Sequence, residues 1–543
     1  MKFKTITHTL GRLLAGAALA LVAGFVVSCS DDDKLDVNKP YDPSQPVVIS
    51  GFTPESGGYQ EQIIVKGSNF GNDKSMVKLT IGGKEAVVVN TLYDKLYAYI
   101  PSAAYNESEN FTGEVVVTIT DSEGNVKTAK AAKQFTYVRK KVVGTLCGYQ
   151  NENDSQGEVW GSFDEAAGFN SEGCLALDPL NPDLLYIAYD RGDGFIAQLD
   201  LEKREVKRMM SASKFQNKRL RNIAFSLDGQ YMLVSTDRDD NGLESTSVWI
   251  VPRRADGTFS ESCQPQRLVA YKQCNGVAVH PVNGEVYFNS YENGQLFRMN
   301  LDDYLAAQNP EPDPENPDKE PEPWTGTLNS GAFKELFRIM DPSYEFQITI
   351  HPSGDYAYIT VINRNYILRT DYNKAKKEFT TPYTIAGYNI DIDHGDYEDA
   401  VGMNARMKRP YQGVFVKNPE YVKEGRADVY DFYFCDCLNF CVRYITPDGL
   451  VRTFAGRAPS TNGNIWGTED GDLRQQARFR DVTGIAYDEK RDRFYVLDHN
   501  NRRVRTIGME SENMITVAPD PDEEEGGETE GGETEGGETE TEQ

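Results

Sequence analysis

Between Gly173 and Ile507 apolar residues come in short runs, β-branched and aromatic, separated by turns that contain Asp, Pro or Gly. Runs this brief are strands, because a helix needs a longer periodic stretch. Six of them open on a small or amide residue, at Gly173, Asn222, Gly276, Gln347, Gly413 and Gly484. Each is followed by a second run, from Leu184, Tyr231, Glu285, Tyr356, Asp431 and Arg493, and by a third from Ile196, Val248, Leu296, Tyr366, Val442 and Val504. Most repeats add a fourth, from Val206, Gln266, Lys334, Thr381 and Val451. Four antiparallel strands repeated radially make the blade of a propeller, which stacks blades around a channel and leaves only short, protected sheet edges. The expected fold is therefore all-β, with a six-bladed propeller over residues 141–519. Val142 to Gly148 and Met514 to Pro519 both have the character of a fourth strand, and one of them should close the ring. The sequence does not choose between them.

The phrases TFAG (Thr453 to Gly456), EDGD followed by ARF (Glu469 to Phe479), GIAYD from Gly484 and VLDHNNRRVRTI up to Ile507 resemble the repeat of NHL propellers. The resemblance extends to GTLCG from Gly144 followed by Phe169, and it is loose in blades two to four, where the count rests on strand pattern alone.

Alternation at period two also runs from Val47 to Val138, in QIIVKG, VKLTIGG, YAYIP, EVVVTITD and KQFTYV, with Gly and Asn turns between. That pattern predicts a small β-sandwich. With SGFTPESGG and VKGSNFG it resembles a TIG (IPT) immunoglobulin-like domain, 47–138, whose expected role is a spacer.

Upstream, Lys2, Lys4 and Arg12 precede the apolar stretch Leu13 to Val27, which ends at Ser28 and Cys29. A basic start, a short apolar run and a small residue before a cysteine read as a secretory signal, 1–28. VVSC resembles a bacterial lipobox, which implies lipidation of Cys29 and a tethered rather than spanning protein. Residues 29–46 form an acidic tether whose SDDDK resembles the export signal of lipoproteins facing the exterior of the outer membrane.

Charge changes the picture less than its total implies. The net charge is −27, yet residues 520–543 supply twelve carboxylates and no base. That Gly, Glu and Thr tail has no apolar side chain to bury and is expected to be disordered. No basic aromatic patch invites nucleic acid, and an anionic chain repels phosphates. Two insertions enlarge loops: the Pro- and Glu-rich 309–323 in blade three, and 387–410 ahead of blade five. Cys435, Cys437 and Cys441 approach metal spacing without a fourth ligand nearby, so structural or hairpin-paired thiols are the expectation. The acidic run Asp391 to Asp399 could hold calcium, though its spacing is not that of an EF-hand; no other cofactor is implied.

In a four-stranded meander the loop leading into the first strand and the loop between the second and third open on one face. That geometry assembles a candidate ligand surface: Trp160, Asp190, Arg191, Arg221, Asp237, Arg238, Asn275, Tyr291, Arg364, Tyr397, Gln412, Trp466, Asp498 and His499. Flat aromatics with amides, arginines and carboxylates suit a polyhydroxylated ligand. His280 and His351 occupy equivalent repeat positions and read as framework. The whole resembles the non-catalytic glycan-binding lipoproteins that accompany outer-membrane importers of the starch-utilisation type. Extracellular polysaccharide or oligosaccharide and such an importer are the implied partners. A polysaccharide lyase or hydrolase on the same face, and a protein-docking scaffold, are the alternatives, and no catalytic residue is assigned.

Overall fold

The computed structural model describes residues 39–510, apart from 60, 102–109, 149–157, 238–244, 271–272, 291–292, 309, 311–322, 329, 340–344 and 461–462. The signal, Cys29, most of the acidic tether, the stretch 514–519 and the acidic tail lie outside the described residues, as do Arg238 and Tyr291.

The first domain is a β-sandwich. Val48–Thr53, Gln62–Ser68, Lys95–Tyr99 and Lys84–Leu92 pair antiparallel in that order, while Val77–Ile81, Asn110–Thr120 and Val126–Val138 form the facing layer. Alternate side chains meet between the layers: Ile63, Val65, Leu79, Leu96, Val115, Val117, Ile119 and Phe135 are all fully buried, as the period of a half-buried strand requires.

Six sheets follow. Their inner strands are Gly173–Leu177, Arg219–Phe225, Val277–Val279, Phe346–Ile350, Pro410–Lys417 and Val482–Asp488, each the edge of a four-stranded antiparallel meander. Neighbouring inner strands touch in order, and the sixth touches the first, so the ring is closed. One apolar cluster fills each blade interface, for example Leu185, Ile187, Tyr495 and Leu497 between blades one and six. Because a second strand is covered on both faces, Leu184–Tyr189 and Tyr356–Val361 are buried at every residue, which is why they read as continuous apolar runs rather than alternating ones.

Closure is made by the N-terminal strand. Lys141–Cys147 pairs antiparallel with Arg503–Met509, setting Val143 opposite Ile507, and so becomes the outer strand of blade six. Only two residues, Arg139 and Lys140, separate it from the last sandwich strand, which ends at Val138. The two connecting residues are tied to the end of the propeller: Arg139 Nη2 donates to the Glu510 carbonyl at 2.9 Å and Glu510 N to the Lys140 carbonyl at 3.1 Å.

The Thr, Ala, Gly strand end has a steric origin. Gly456 has φ 97° and Gly148 φ 94°, and a Cβ on either would stand 2.7 or 2.3 Å from a carbonyl oxygen and under 3 Å from the ring of Phe479 or Phe169. The outer strand must end on glycine so that the following Phe can close over it. Blade three holds a feature absent from the expectation, a short helix Leu301–Gln308 after its third strand; nearly all of the proline-rich insertion beyond it lies outside the described residues.

Candidate functional site

At the end of the propeller where the inner strands begin, charged side chains from five blades converge on the channel mouth. Arg221, fully buried on the inner strand of blade two, lies 2.9 Å from Asp190, 3.3 Å from Asp237 and 3.4 Å from Glu345. Burial alone would lower its pKa, but the surrounding carboxylates, Asp190 foremost, raise it well above the ordinary value. Asp190 is also held by Arg219 Nε at 2.6 Å and by the Tyr411 hydroxyl at 3.2 Å. Asn275 Nδ2 donates to Asp237 at 3.2 Å, and burial pushes the Asp237 carboxyl upward. Across the channel Arg409 binds both oxygens of Glu172, one at 2.7 Å. Burial favours the neutral acid at Glu172, yet the Arg409 hydrogen bonds override it and hold this carboxyl low. His499 stands near this pair, its pKa lowered by burial. The mouth is thus a set of mutually neutralised charges.

Several residues expected to face ligand are tied into the framework instead. Gln412 Oε1 accepts from Leu175 N at 2.8 Å and Ile485 N at 3.0 Å, and its Nε2 donates to the Leu175 carbonyl at 2.8 Å. It staples the inner strands of blades five, one and six. Asn275 is likewise engaged, through Asn289 as well as Asp237. Asp498 is fully buried: one oxygen accepts from Arg480 N at 2.7 Å, the other from Arg505 Nη1 at 2.9 Å and Asn501 Nδ2 at 2.8 Å. Blade five repeats this triad with Asp436, Arg443 and Asn439. Asp, then Asn three positions on, then Arg seven positions on is a signal the sequence carried twice and the ligand-surface reading absorbed wrongly. His280 and His351 are also framework: each Nδ1 accepts a backbone N–H two residues later at 3.2 Å, capping the turn after an inner strand.

The rim of the face differs from the mouth. Trp160 is half-buried and packs edge-on to Phe195 at 5.7 Å, while Arg191 is held by Glu158 at 2.6 Å and Asp193 at 2.8 Å. Arg364 stands 3.6 Å from Asp391. Trp466 is 39% exposed with Arg480 Cζ 4.8 Å from its ring, and Tyr397 has Arg457 Cζ 3.7 Å from its ring and its hydroxyl 2.8 Å from Thr453. Arg219, Arg409, Tyr411, Glu345, Arg457 and Arg480 were not anticipated. Arg409, Arg457 and Asp481 share a left-handed backbone at the approach to blades five and six, and that conformation leaves no mark in composition.

The acidic run does not converge. Asp391 Oδ1 accepts from Asp393 N at 3.3 Å, Asp396 from Tyr397 N at 2.8 Å, and Asp399 is bound by Arg443 at 2.8 Å. Among the described residues no three His, Cys, Asp or Glu side chains gather as a metal would need. Cys435, Cys437 and Cys441 are buried, unpaired thiols raised by burial.

Sandwich and propeller together define a mostly β protein, a TIG domain carrying six blades. An IPT/TIG domain profile matches residues 46–137. Among solved structures, a Bacteroides thetaiotaomicron protein with the provisional name of a phosphatase is 47% identical, with 87% of this chain and 99% of that chain covered at a TM-score of 0.69. A second protein from the same organism, named an auxiliary nutrient binding protein, is 36% identical over 87% of this chain and 100% of its own, TM-score 0.70. A Bacteroides ovatus protein of the same name is 31% identical over 87% and 100%, TM-score 0.59. The chain belongs to the family that these three Bacteroides proteins represent. No curated protein matches it. Among the described residues no helix is long and apolar enough to cross a membrane.

Proposed function

We propose that this chain is a non-catalytic, cell-surface glycan-binding lipoprotein, tethered through Cys29 to the outer membrane and assisting capture of polysaccharide for an importer. The observation that carries the reading is the rim of blades five and six, where the aromatic side chains of Trp466 and Tyr397 stand beside arginines on the open end of the propeller. Aromatic faces cover the apolar faces of sugar rings and the adjoining donors take hydroxyls. The nutrient-binding names of two relatives at 31–36% identity point the same way. Display of many tethered copies raises effective concentration, so modest affinity per site suffices. The experiment is affinity electrophoresis of the protein lacking residues 1–29 through gels holding a panel of plant, microbial and host polysaccharides. Retardation by a polymer whose chain length stays unchanged is the expected result. Uniform mobility across the panel would turn the reading toward a protein partner.

A second reading is favoured by one cluster. Glu172, Arg409 and the neighbouring His499 could serve hydrolysis, and the 47% identical relative carries a phosphatase name. Release of phosphate from p-nitrophenyl phosphate, abolished by Glu172→Gln, would replace the binding reading.

A further inference from the structure

The chain has 84 acidic and 57 basic residues, so carboxylates are in excess and an arginine without one is a departure. Most guanidiniums on the face conform. Arg191, Arg219, Arg221, Arg409, Arg443, Arg478 and Arg505 each have a carboxylate within ion-pair distance. Arg457 and Arg480 do not, and neither do Arg406, Arg474 and Arg503, which donate to the backbone carbonyls of Met403 and Ala405, of Gly456 and of Thr468. Among the described residues Arg457 donates only to the Asn439 carbonyl, at 3.1 Å, and neither it nor Arg480 has an acidic partner.

Both lie at the ends of one loop. Arg457 follows the outer strand of blade five, Arg480 precedes the inner strand of blade six, and Trp466 stands between them in sequence. The loop folds back so that Ala458 N donates to the Ala477 carbonyl at 3.2 Å and Gly467 N to the Phe479 carbonyl at 3.3 Å, which brings its two ends together. Arg457 holds a φ of 60°, a conformation that glycine adopts at least cost. The chain nonetheless keeps a guanidinium there, over Tyr397. A guanidinium leaning on an aromatic ring is oriented by it and keeps its planar donors free to grip a carboxylate with two parallel hydrogen bonds.

We propose that this strip, Tyr397, Arg457, Trp466 and Arg480, recognises acidic glycans, polymers whose sugars carry carboxylates. The rings receive the apolar sugar faces and the two arginines supply the charge that the ligand's carboxylates require. This deepens the glycan-binding reading and rests on it. The mouth cannot take the same role, since its arginines are already neutralised by Asp190, Asp237, Glu345 and Glu172.

The test uses polygalacturonate, alginate and hyaluronan, each beside its carboxyl-reduced derivative, with neutral galactan and starch as further probes. Wild-type protein should be retarded by at least one uronate polymer, lose that retardation on carboxyl reduction, and lose it progressively as salt rises. Arg457→Gln with Arg480→Gln should weaken binding about tenfold or more with an unchanged melting temperature. Should that pair fold poorly, Arg457→Lys with Arg480→Lys, which keeps charge and removes the planar fork, should still weaken binding relative to wild type while keeping its salt dependence. Retardation by neutral polymers alone, insensitive to both pairs, overturns the acidic-ligand inference and leaves glycan binding standing. Retardation by none of the probes overturns both.

Discussion

Asp190 and Asp498 stand at the same place in the repeat, just at the end of the second strand of blades one and six, and each is buried against an arginine. What differs is where the arginine comes from. Asp498 meets Arg505 of its own blade, seven residues later, in a set completed by Asn501 and Asp470. Asp190 reaches into blade two, to Arg219 and Arg221, and receives the Tyr411 hydroxyl from blade five. One network is closed within a repeat; the other is assembled across the channel from several. The difference teaches how a repeat diverges: the self-contained version stabilises one blade, whereas the shared version ties blades together and fills the mouth with charge.

The largest effect should come from breaking the closed network. Arg505→Ala leaves Asp498 and Asp470 buried without their cation, and removing one partner of a buried pair costs about 3–5 kcal/mol. Denaturant unfolding of the purified protein should register that loss, and Arg443→Ala in blade five should match it because its contacts are the same in kind. Near-neutral behaviour of either variant would show that the repeated triad is not structural. In the shared network Arg221→Met should cost less, roughly 2–3 kcal/mol, because Asp190 retains Arg219 and Tyr411. This variant should recover stability on mild acidification, as Asp237, whose carboxyl burial already pushes upward, takes up a proton. A loss as large as that of Arg505→Ala, with no such recovery, would erase the distinction between the networks.

The same contrast explains what could be read in advance. Blade count, strand order and sandwich were legible because burial on one or two faces writes itself into apolar runs, as in Leu184–Tyr189. The triad of Asp498, Asn501 and Arg505 was present as fixed spacing and is repeated at Asp436, Asn439 and Arg443, but the spacing went unused and Asp498 was placed on the ligand surface, because a polar residue in a loop carries no mark of its burial. The shared mouth had no such spacing, since Asp190, Arg221, Glu345 and Arg409 belong to four repeats and meet only when the ring closes. Closure itself was ambiguous for a physical reason: two stretches of equal strand character competed, and of the two it is Lys141–Cys147, three residues beyond Val138, that is found beside Arg503–Met509 among the described residues. Arg457 and Arg480 were missed because an arginine's lack of a carboxylate partner is a property of three-dimensional neighbours.

The two tryptophans sharpen the comparison on the rim. They share a repeat position in EVWG and NIWG, yet Trp160 belongs to the cluster between blades six and one and packs on Phe195, whereas Trp466 is exposed beside Arg480. Trp160→Ala should therefore lower stability by about 2 kcal/mol through lost burial, with little direct effect on glycan retention. Trp466→Ala should change stability by no more than about 0.5 kcal/mol and weaken retention. Measuring both variants by denaturant unfolding and by affinity electrophoresis separates the roles. If Trp160→Ala alone abolished retention at full stability, the ligand surface would belong to blade one.

The smallest expected effect is on pH dependence, and here the two networks have opposite signs. His499 is lowered below 6.5 by burial, so on acidification the unfolded chain takes up the proton first and stability is lost as pH falls from 6.5 toward the folded value. Glu172, held low by Arg409 against the effect of burial, adds a further loss below 4.5. Asp498 runs the other way. Burial lifts it to about 6, with Arg505 shared between it and Asp470, so the folded state keeps a proton that the unfolded chain has released, and its contribution declines as pH rises from 3.8 to about 6. His280, at the opposite end of the channel and also lowered by burial, has the sign of His499, so His499→Gln should flatten only part of the slope between pH 7 and pH 5. Unfolding free energies of wild type and His499→Gln across that range provide the measurement. An unchanged slope would mean that His499 is protonated equally in the folded and unfolded chains, and that the mouth holds no buried neutral imidazole.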